Sequence, residues 1–231
     1  LKRTRIPIPP RAQDAPILTD FGYNTNMSKT TALAELARAL ETDTTLPLQE
    51  SNLVFGEGNP DTTVLFIGEA PGFHENELRR PFVGRSGQLL DKLLIEIGWQ
   101  RSDVYITNIV KRRPPDNRDP LPEEIEAYKP YLAKQIEIIK PKIIAPLGRF
   151  SMNYFLPFAK ISRDQGKLFK ASNYFIYPLF HPAAALRSTA TLEELRQAFK
   201  RLPEVIKKCE DLAQSLAAPT TTPPPAQESL F

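Results

Sequence analysis

Four short apolar runs recur along the chain, at residues 64–68 (VLFIG), 104–110 (VYITNIV), 142–148 (KIIAPLG) and 174–180 (YFIYPLF). The stretches between and after them have helical spacing: residues 86–99 (SGQLLDKLLIEIGW), 122–140, 149–156 and 192–216, the last containing Pro203. Strands joined by helix-length crossovers run parallel, and parallel strands are covered on both faces, so their apolar runs are continuous rather than alternating. The expected fold is α/β, a three-layer αβα sandwich around a central, mainly parallel four-stranded sheet.

The chain has 231 residues, 41% of them hydrophobic, which suits one domain with tails. Residues 30–216 are expected to form it. Residues 1–29 are Pro-rich and polar without periodicity and are expected to be a disordered extension. Their basic start lacks the apolar segment of a signal peptide. Residues 217–231 read as a Pro/Thr linker with a small hydrophobic tip. A single cysteine, Cys209, excludes an internal disulfide and a cysteine-based metal site, and it suits a reducing, cytoplasmic interior. The net charge of +3 permits a nucleic-acid partner without demanding one.

In an open α/β sheet, ligands bind beyond the carboxyl ends of the strands. Glu69, Asn108, Gly148 and His181 each stand at such an end. Singly, each has an ordinary reading: a helix cap, a turn residue, a packing residue. Parallel strands would bring all four to one rim, and a charge at the end of the most apolar run is then what a reaction site requires.

The order and wording of these motifs resemble the uracil-DNA glycosylase superfamily, most closely its family 4. GEAPG (68–72), with PFVG (81–84) and SGQLL (86–90), is similar to that family's first motif. YITNIVK with the following RPP and NR resembles its central block, and HPAA (181–184) its second motif. The resemblance implies a monofunctional glycosylase that flips uracil out of DNA and hydrolyses its N-glycosidic bond, leaving an abasic site. It implies that Glu69 orients water and stabilises positive charge on the sugar, with Glu75 the alternative acid. His181 would donate to uracil O2 as charge gathers there. Phe82 would stack on the base and Asn108 would pair with O4 and N3. Gly68 and Ala70 would line the pocket, the turn at 69–70 adding backbone N–H donors. Leu186 is expected either to fill the hole left by the base or to pack in the core. Arg187 is expected to meet a phosphate or to stay solvated. The basic loop KRRPPDNR (Lys111, Arg112, Arg113, Arg118) is expected to contact phosphates.

The chain also departs from the family pattern. Most family 4 members hold a four-iron, four-sulfur cluster on four cysteines; Asp43, Leu46, Arg112 and Tyr128 stand at those positions here. No cluster and no metal are therefore expected. Packing by Leu46 and Tyr128, with an Asp43–Arg112 ion pair, is the expected replacement. Asn76 stands where the family usually has a second acid, and Arg79 where it has Gly. The basic loop lacks the His of DNA-crosslinking relatives, so no covalent adduct is expected. A non-catalytic nucleic-acid-binding module of the same fold is the alternative. A Rossmann-type nucleotide enzyme is disfavoured, because GEAPGFHE puts a Pro and acids where a pyrophosphate would sit. QESLF at 227–231 resembles the peptides with which bacterial repair and replication proteins dock on the sliding clamp, with Gln227, Leu230 and Phe231 as anchors. A nucleoid-associated monomer with no membrane contact is expected.

Overall fold

The structure, a computed structural model, describes residues 27–171 and 173–217. The N-terminal extension, the Pro/Thr linker and the QESLF peptide lie outside the described residues. The first helix, α1, spans Lys29–Thr42, and Ser28 caps it by accepting from the Thr31 N–H. Strands β1 (Glu57–Gly58), β2 (Val64–Gly68), β3 (Tyr105–Asn108), β4 (Ile143–Pro146), β5 (Phe169–Lys170) and β6 (Phe175–Ile176) form one sheet in the order β1-β3-β2-β4-β6-β5. The four central strands are parallel, as the crossover lengths require. The sheet has six strands rather than four because the two-residue strands β1 and β5 pair antiparallel on its edges. Strands that short carry no sequence period.

Helices α3 (Arg85–Glu96) and α8 (Thr189–Ala217) cover one face, and α1, α4 (Pro122–Ile139) and α5 (Arg149–Phe155) the other. Alternation along β2 divides its side chains between the two cores. Leu65 and Ile67 join the α1/α4 side, while Val64 and Phe66 join the α3/α8 side, where Phe66 stacks on Phe199 with ring centroids 5.7 Å apart. Pro130 and Pro203 both lie inside helices, and the chain stays helical through each. Beyond β6, pairing with β4 continues through Tyr177 N–H to Ile144 O and Leu179 N–H to Pro146 O, both 2.9 Å. That extension carries His181 to the rim. Two one- to two-turn helices also stand at the rim, α2 (Phe73–Leu78) and α7 (Pro182–Ala185), and a third short helix, α6 (Ile161–Asp164), precedes β5 in the chain.

Asp43, Leu46, Arg112 and Tyr128 lie under the end of α1. Leu46 and Tyr128 are buried in the α1/α4 core as expected. The expected Asp43–Arg112 ion pair does not form. Asp43 instead accepts from the Thr45 N–H and hydroxyl and from the Tyr131 hydroxyl. Arg112 lies 3.6 Å from Glu41 and donates to the Ser51 carbonyl. Tyr128 donates to the Pro47 carbonyl at 2.8 Å. Asp43 turns to neutral donors because a hydroxyl can follow a carboxylate into a site that is 6% exposed without bringing a second charge. Tyr131→Phe removes a buried hydrogen bond to a charged acceptor. It should lower unfolding stability by about 2 kcal/mol, read from urea denaturation at neutral pH.

Candidate active site

The site is organised around the last residue of β2. Gly68 and Asn108 are register partners on neighbouring parallel strands. A Cβ at Gly68 would lie 2.3 Å from Asn108 Oδ1 and 2.6 Å from the Phe82 ring. The amide and the ring meet at this backbone only because no side chain stands between them. Asn108 is buried, and its Oδ1 has no hydrogen-bond partner. An orphaned buried acceptor is costly, and here it is held beside an aromatic ring at the sheet's carboxyl rim.

Phe82 reaches this place at a conformational cost, with φ +52° in the left-handed region. Three contacts hold it there. Arg101 donates to the carbonyls of Pro81 and Phe82 while paired with Glu57 and Asp91. Gly87 of α3 lies so close that a Cβ there would fall 1.7 Å from the Phe82 carbonyl oxygen. Glu75 Oε1 accepts from the N–H groups of Val83 (2.9 Å) and Gly84 (2.7 Å), placing an anion at the N-terminus of α3. That engagement makes Glu75 the fastener of the PFVG loop. The Arg101 clamp had no sequence signal, since one arginine in a turn carries no pattern.

His181 caps α7: its Nδ1 accepts from the Ala183 N–H at 3.1 Å. A neutral imidazole whose Nδ1 accepts carries its proton on Nε2, so the free edge of the ring is a donor. Burial, reinforced by the Arg187 charge and opposed by Glu75, pushes its pKa down to about 4. The ring is therefore neutral at physiological pH. It lies 5.7 Å from the Phe82 ring, centroid to centroid, and against Gly148, whose φ of +91° starts α5.

Glu69 follows Gly68, and its backbone carbonyl accepts from the Val110 N–H at 3.0 Å. Burial, with a contribution from Asp119 and opposed by Arg149, raises its pKa to about 7. Asp119 and Arg149 pair at 3.0 Å; one belongs to the loop after β3 and the other starts α5 after β4. Ala70 packs partly buried against the α1/α4 core, one residue beyond Glu69.

Leu186 is 41% exposed, so it does not pack in the core, and Arg187 beside it is exposed. Arg113 lies with its guanidinium 5.4 Å from the ring centroid of the exposed Phe73 and donates to Asn117 Oδ1. Arg118 holds Glu124 with both arms of its fork, at 2.9 and 2.6 Å, pinning the loop to the start of α4. The reading of Lys111 and Arg112 as phosphate contacts is corrected by their burial, 0% and 4% exposed. The backbone after β3 turns inward before the loop reaches solvent at residue 115. Arg79 keeps a left-handed φ of +52° where relatives are expected to have Gly, held by Asn52 and Glu41. Asn76, in the expected acid position, bonds to the Asn52 N–H.

A separate cavity of about 150 Å³ opens beside Trp99 and Val64, at the amino ends of the strands. It is remote from these groups and presents none of the convergent chemistry of the rim. The ionisation of Glu69 has a measurable consequence. A carboxyl whose folded pKa is raised binds its proton more tightly in the folded state, so wild-type stability falls as pH rises from the unfolded value near 4.5 through about 7. Glu69→Gln, which mimics the neutral form, should therefore raise Tm at pH 8 and leave it nearly unchanged at pH 4 to 5.

The four positions at which relatives are expected to carry cluster cysteines present a carboxylate, an alkyl chain, a guanidinium and a phenol. That donor set does not fit an iron–sulfur cluster. Among the described residues, no group of three or more His, Cys, Asp or Glu is placed to hold a metal ion, and no helix is long and apolar enough to cross a membrane.

Comparison with known proteins agrees with the resemblance to that superfamily. The model of the uracil DNA glycosylase superfamily matches residues 55–203. A type-4 uracil-DNA glycosylase of Sulfurisphaera tokodaii is 44% identical over 165 residues, covering 67% of this chain and 75% of the relative. That of Archaeoglobus fulgidus is 42% identical over 168 residues, 69% and 84%. That of Thermotoga maritima is 44% identical over 155 residues, 66% and 80%. With the six-stranded α/β sheet and a rim built of GEAPG, PFVG, YITN and HPAA, these matches establish that the chain belongs to the uracil DNA glycosylase superfamily.

Proposed function

We propose that this protein excises uracil from DNA as a monofunctional glycosylase, and that the orphaned Asn108 Oδ1 beside the Phe82 ring is the base-reading element. Uracil presents an N3–H donor and an O4 acceptor. The Asn108 amide offers Oδ1 to the first and Nδ2 to the second. Cytosine reverses both and leaves the buried amide opposed by like groups, which is how a hydrogen-bonding site rejects a near-isostere. Phe82 supplies the stacking face. Base flipping brings the nucleotide to these groups, with Leu186 entering the vacated space and Arg187 and Arg113 meeting phosphates. The Arg118–Glu124 pair leaves Arg118 a lesser part in that contact. Gly68 and Ala70 flank the pocket floor.

The bond broken is C1′–N1, and its electron pair passes to the uracil ring, where charge collects on O2. The His181 Nε2–H is the donor for that oxygen; a neutral donor stabilises the anion without first having to be charged. Glu69 stabilises the positive charge on the sugar and orients the water that adds to C1′. The water's proton passes to the carboxylate, whose pKa near 7 suits it to receive one. Glu75, held by Val83 and Gly84, shapes the loop rather than the water. Lys111, the lysine of the basic loop, is buried and faces away from the base-reading amide, which supports a reaction with no Schiff base and no strand cleavage. No step involves a cluster.

His181→Ala should slow single-turnover excision from a uracil oligonucleotide by a hundredfold or more, since one such donor contributes about 3 kcal/mol, while affinity for abasic-site DNA changes little. An unchanged rate would make His181 a helix cap and nothing else. A non-catalytic binding module would show no alkali-labile product with either protein. We further propose a monomer that docks on the sliding clamp through Gln227, Leu230 and Phe231, a reading supported by the motif's form. Deleting residues 227–231 should abolish clamp binding and leave cleavage of a short oligonucleotide unaltered.

A further inference from the structure

Lys111 is an unusual residue to find fully buried. Among the described residues it makes no ion pair, only a distant approach to the Phe55 ring at 6.0 Å, and burying an ammonium without a carboxylate is among the costlier arrangements a core can hold. Its Nζ instead has three acceptors: Thr107 Oγ1 at 2.6 Å, the Asn108 carbonyl at 2.7 Å and Gln135 Oε1 at 2.7 Å. None can donate in return. The Thr107 hydroxyl gives its hydrogen to the Phe55 carbonyl at 2.7 Å, and the other two are carbonyl oxygens. Three accepting partners need three N–H donors, which only the ammonium has. Burial pushes its pKa well down; three acceptors with no donor among them favour the charged form.

The location of these acceptors gives the arrangement its meaning. Thr107 and Asn108 are consecutive strand residues and point to opposite sides of the sheet. Lys111 therefore grips β3 from the α4 side, one hydrogen bond on each of two neighbouring residues, while the Asn108 side chain emerges on the other side against Gly68 and Phe82. The Asn108 amide itself makes no hydrogen bond within the described residues, and its Oδ1 is left without a partner. An amide with no hydrogen-bonded anchor takes its aim from its backbone and from the Gly68 and Phe82 surfaces packed against it. The turn from 108 to 111 is tied further by Ile109 N–H to Gly68 O and Val54 N–H to Lys111 O, at 3.0 and 2.8 Å.

We propose that Lys111 is a positioning residue for base recognition: its buried ammonium, held by Thr107, Asn108 and Gln135, fixes the backbone of Asn108 so that an otherwise untethered amide faces the flipped pyrimidine. The inference rests on Asn108 being the base-reading group. It explains why a charge is placed here when a leucine would pack more cheaply: an ammonium satisfies three diverging acceptors from one point, and no apolar side chain can.

A double-mutant cycle tests it, with single-turnover excision of uracil as the readout. Lys111→Met keeps the length and removes all three donors. In the wild-type background it should slow excision by roughly ten- to a hundredfold, the scale of a misplacement of about 1 Å, with affinity for abasic-site DNA unchanged. In an Asn108→Ala background the same substitution should cost less than about threefold, because the group it aims is gone. Should Lys111→Met fail to fold, Thr107→Val removes one of the three acceptors without changing side-chain shape, and its smaller loss should vanish in the Asn108→Ala background in the same way. An equal loss in both backgrounds would overturn the proposal and make Lys111 a stability residue. A wild-type rate for Asn108→Ala by itself would instead remove the base-reading role, and the proposal with it.

Discussion

The missing side chain at the end of β2 is the constraint on which the site depends. Phe82 comes from a loop held by Glu75 and Arg101, Asn108 from the neighbouring strand, and both converge on Gly68 at distances that leave no room for a methyl group. The sheet makes that convergence reproducible. Parallel pairing sets Gly68 opposite Asn108, and the β4–β6 ladder brings His181 against Gly148. Loops supply the chemistry, but the ladder hydrogen bonds set its geometry.

Much of this was legible beforehand because the signals were local. Continuous apolar runs announce the four parallel strands, and Glu69, Asn108, Gly148 and His181 at their ends announce the rim. The edge strands β1 and β5 were not legible, since two residues have no period and their pairing is decided by partners distant in sequence. The basic loop was legible as charge but not as position. Lys111 and Arg112 follow a strand that turns into the core, whereas Arg113, two residues beyond Lys111, regains partial exposure. Composition counts cations without regard to which way the backbone faces. Glu75 illustrates the same limit. Its place in the motif suggests reaction chemistry, and only the structure reveals that its carboxylate also accepts from the Val83 and Gly84 amides.

The region under α1 shows how one set of constraints substitutes for another. Where relatives are expected to hold a cluster, this chain ties the same segments with polar contacts: Asp43 to Tyr131 and Thr45, Tyr128 to Pro47, and Arg112 to Ser51 and Glu41. Glu41 also pairs with Arg79 at 3.2 Å, so the same carboxylate joins this corner to the loop that leads into PFVG. Corner and PFVG loop are thereby linked through one surface anion.

A corner fastened in this way answers to a different chemical variable from one fastened by metal. Burial works to raise the Asp43 pKa, but the hydrogen bonds from Thr45 and Tyr131 outweigh it and hold the carboxyl below its ordinary value. A depressed folded pKa stabilises the fold above the unfolded value near 3.8, and that contribution is lost as pH falls through the folded one. The one cysteine, Cys209, is buried with its thiol pushed up to about 11, far from the thiolate that oxidants attack. This corner is thus responsive to proton supply, and acidity is a condition that loosens it.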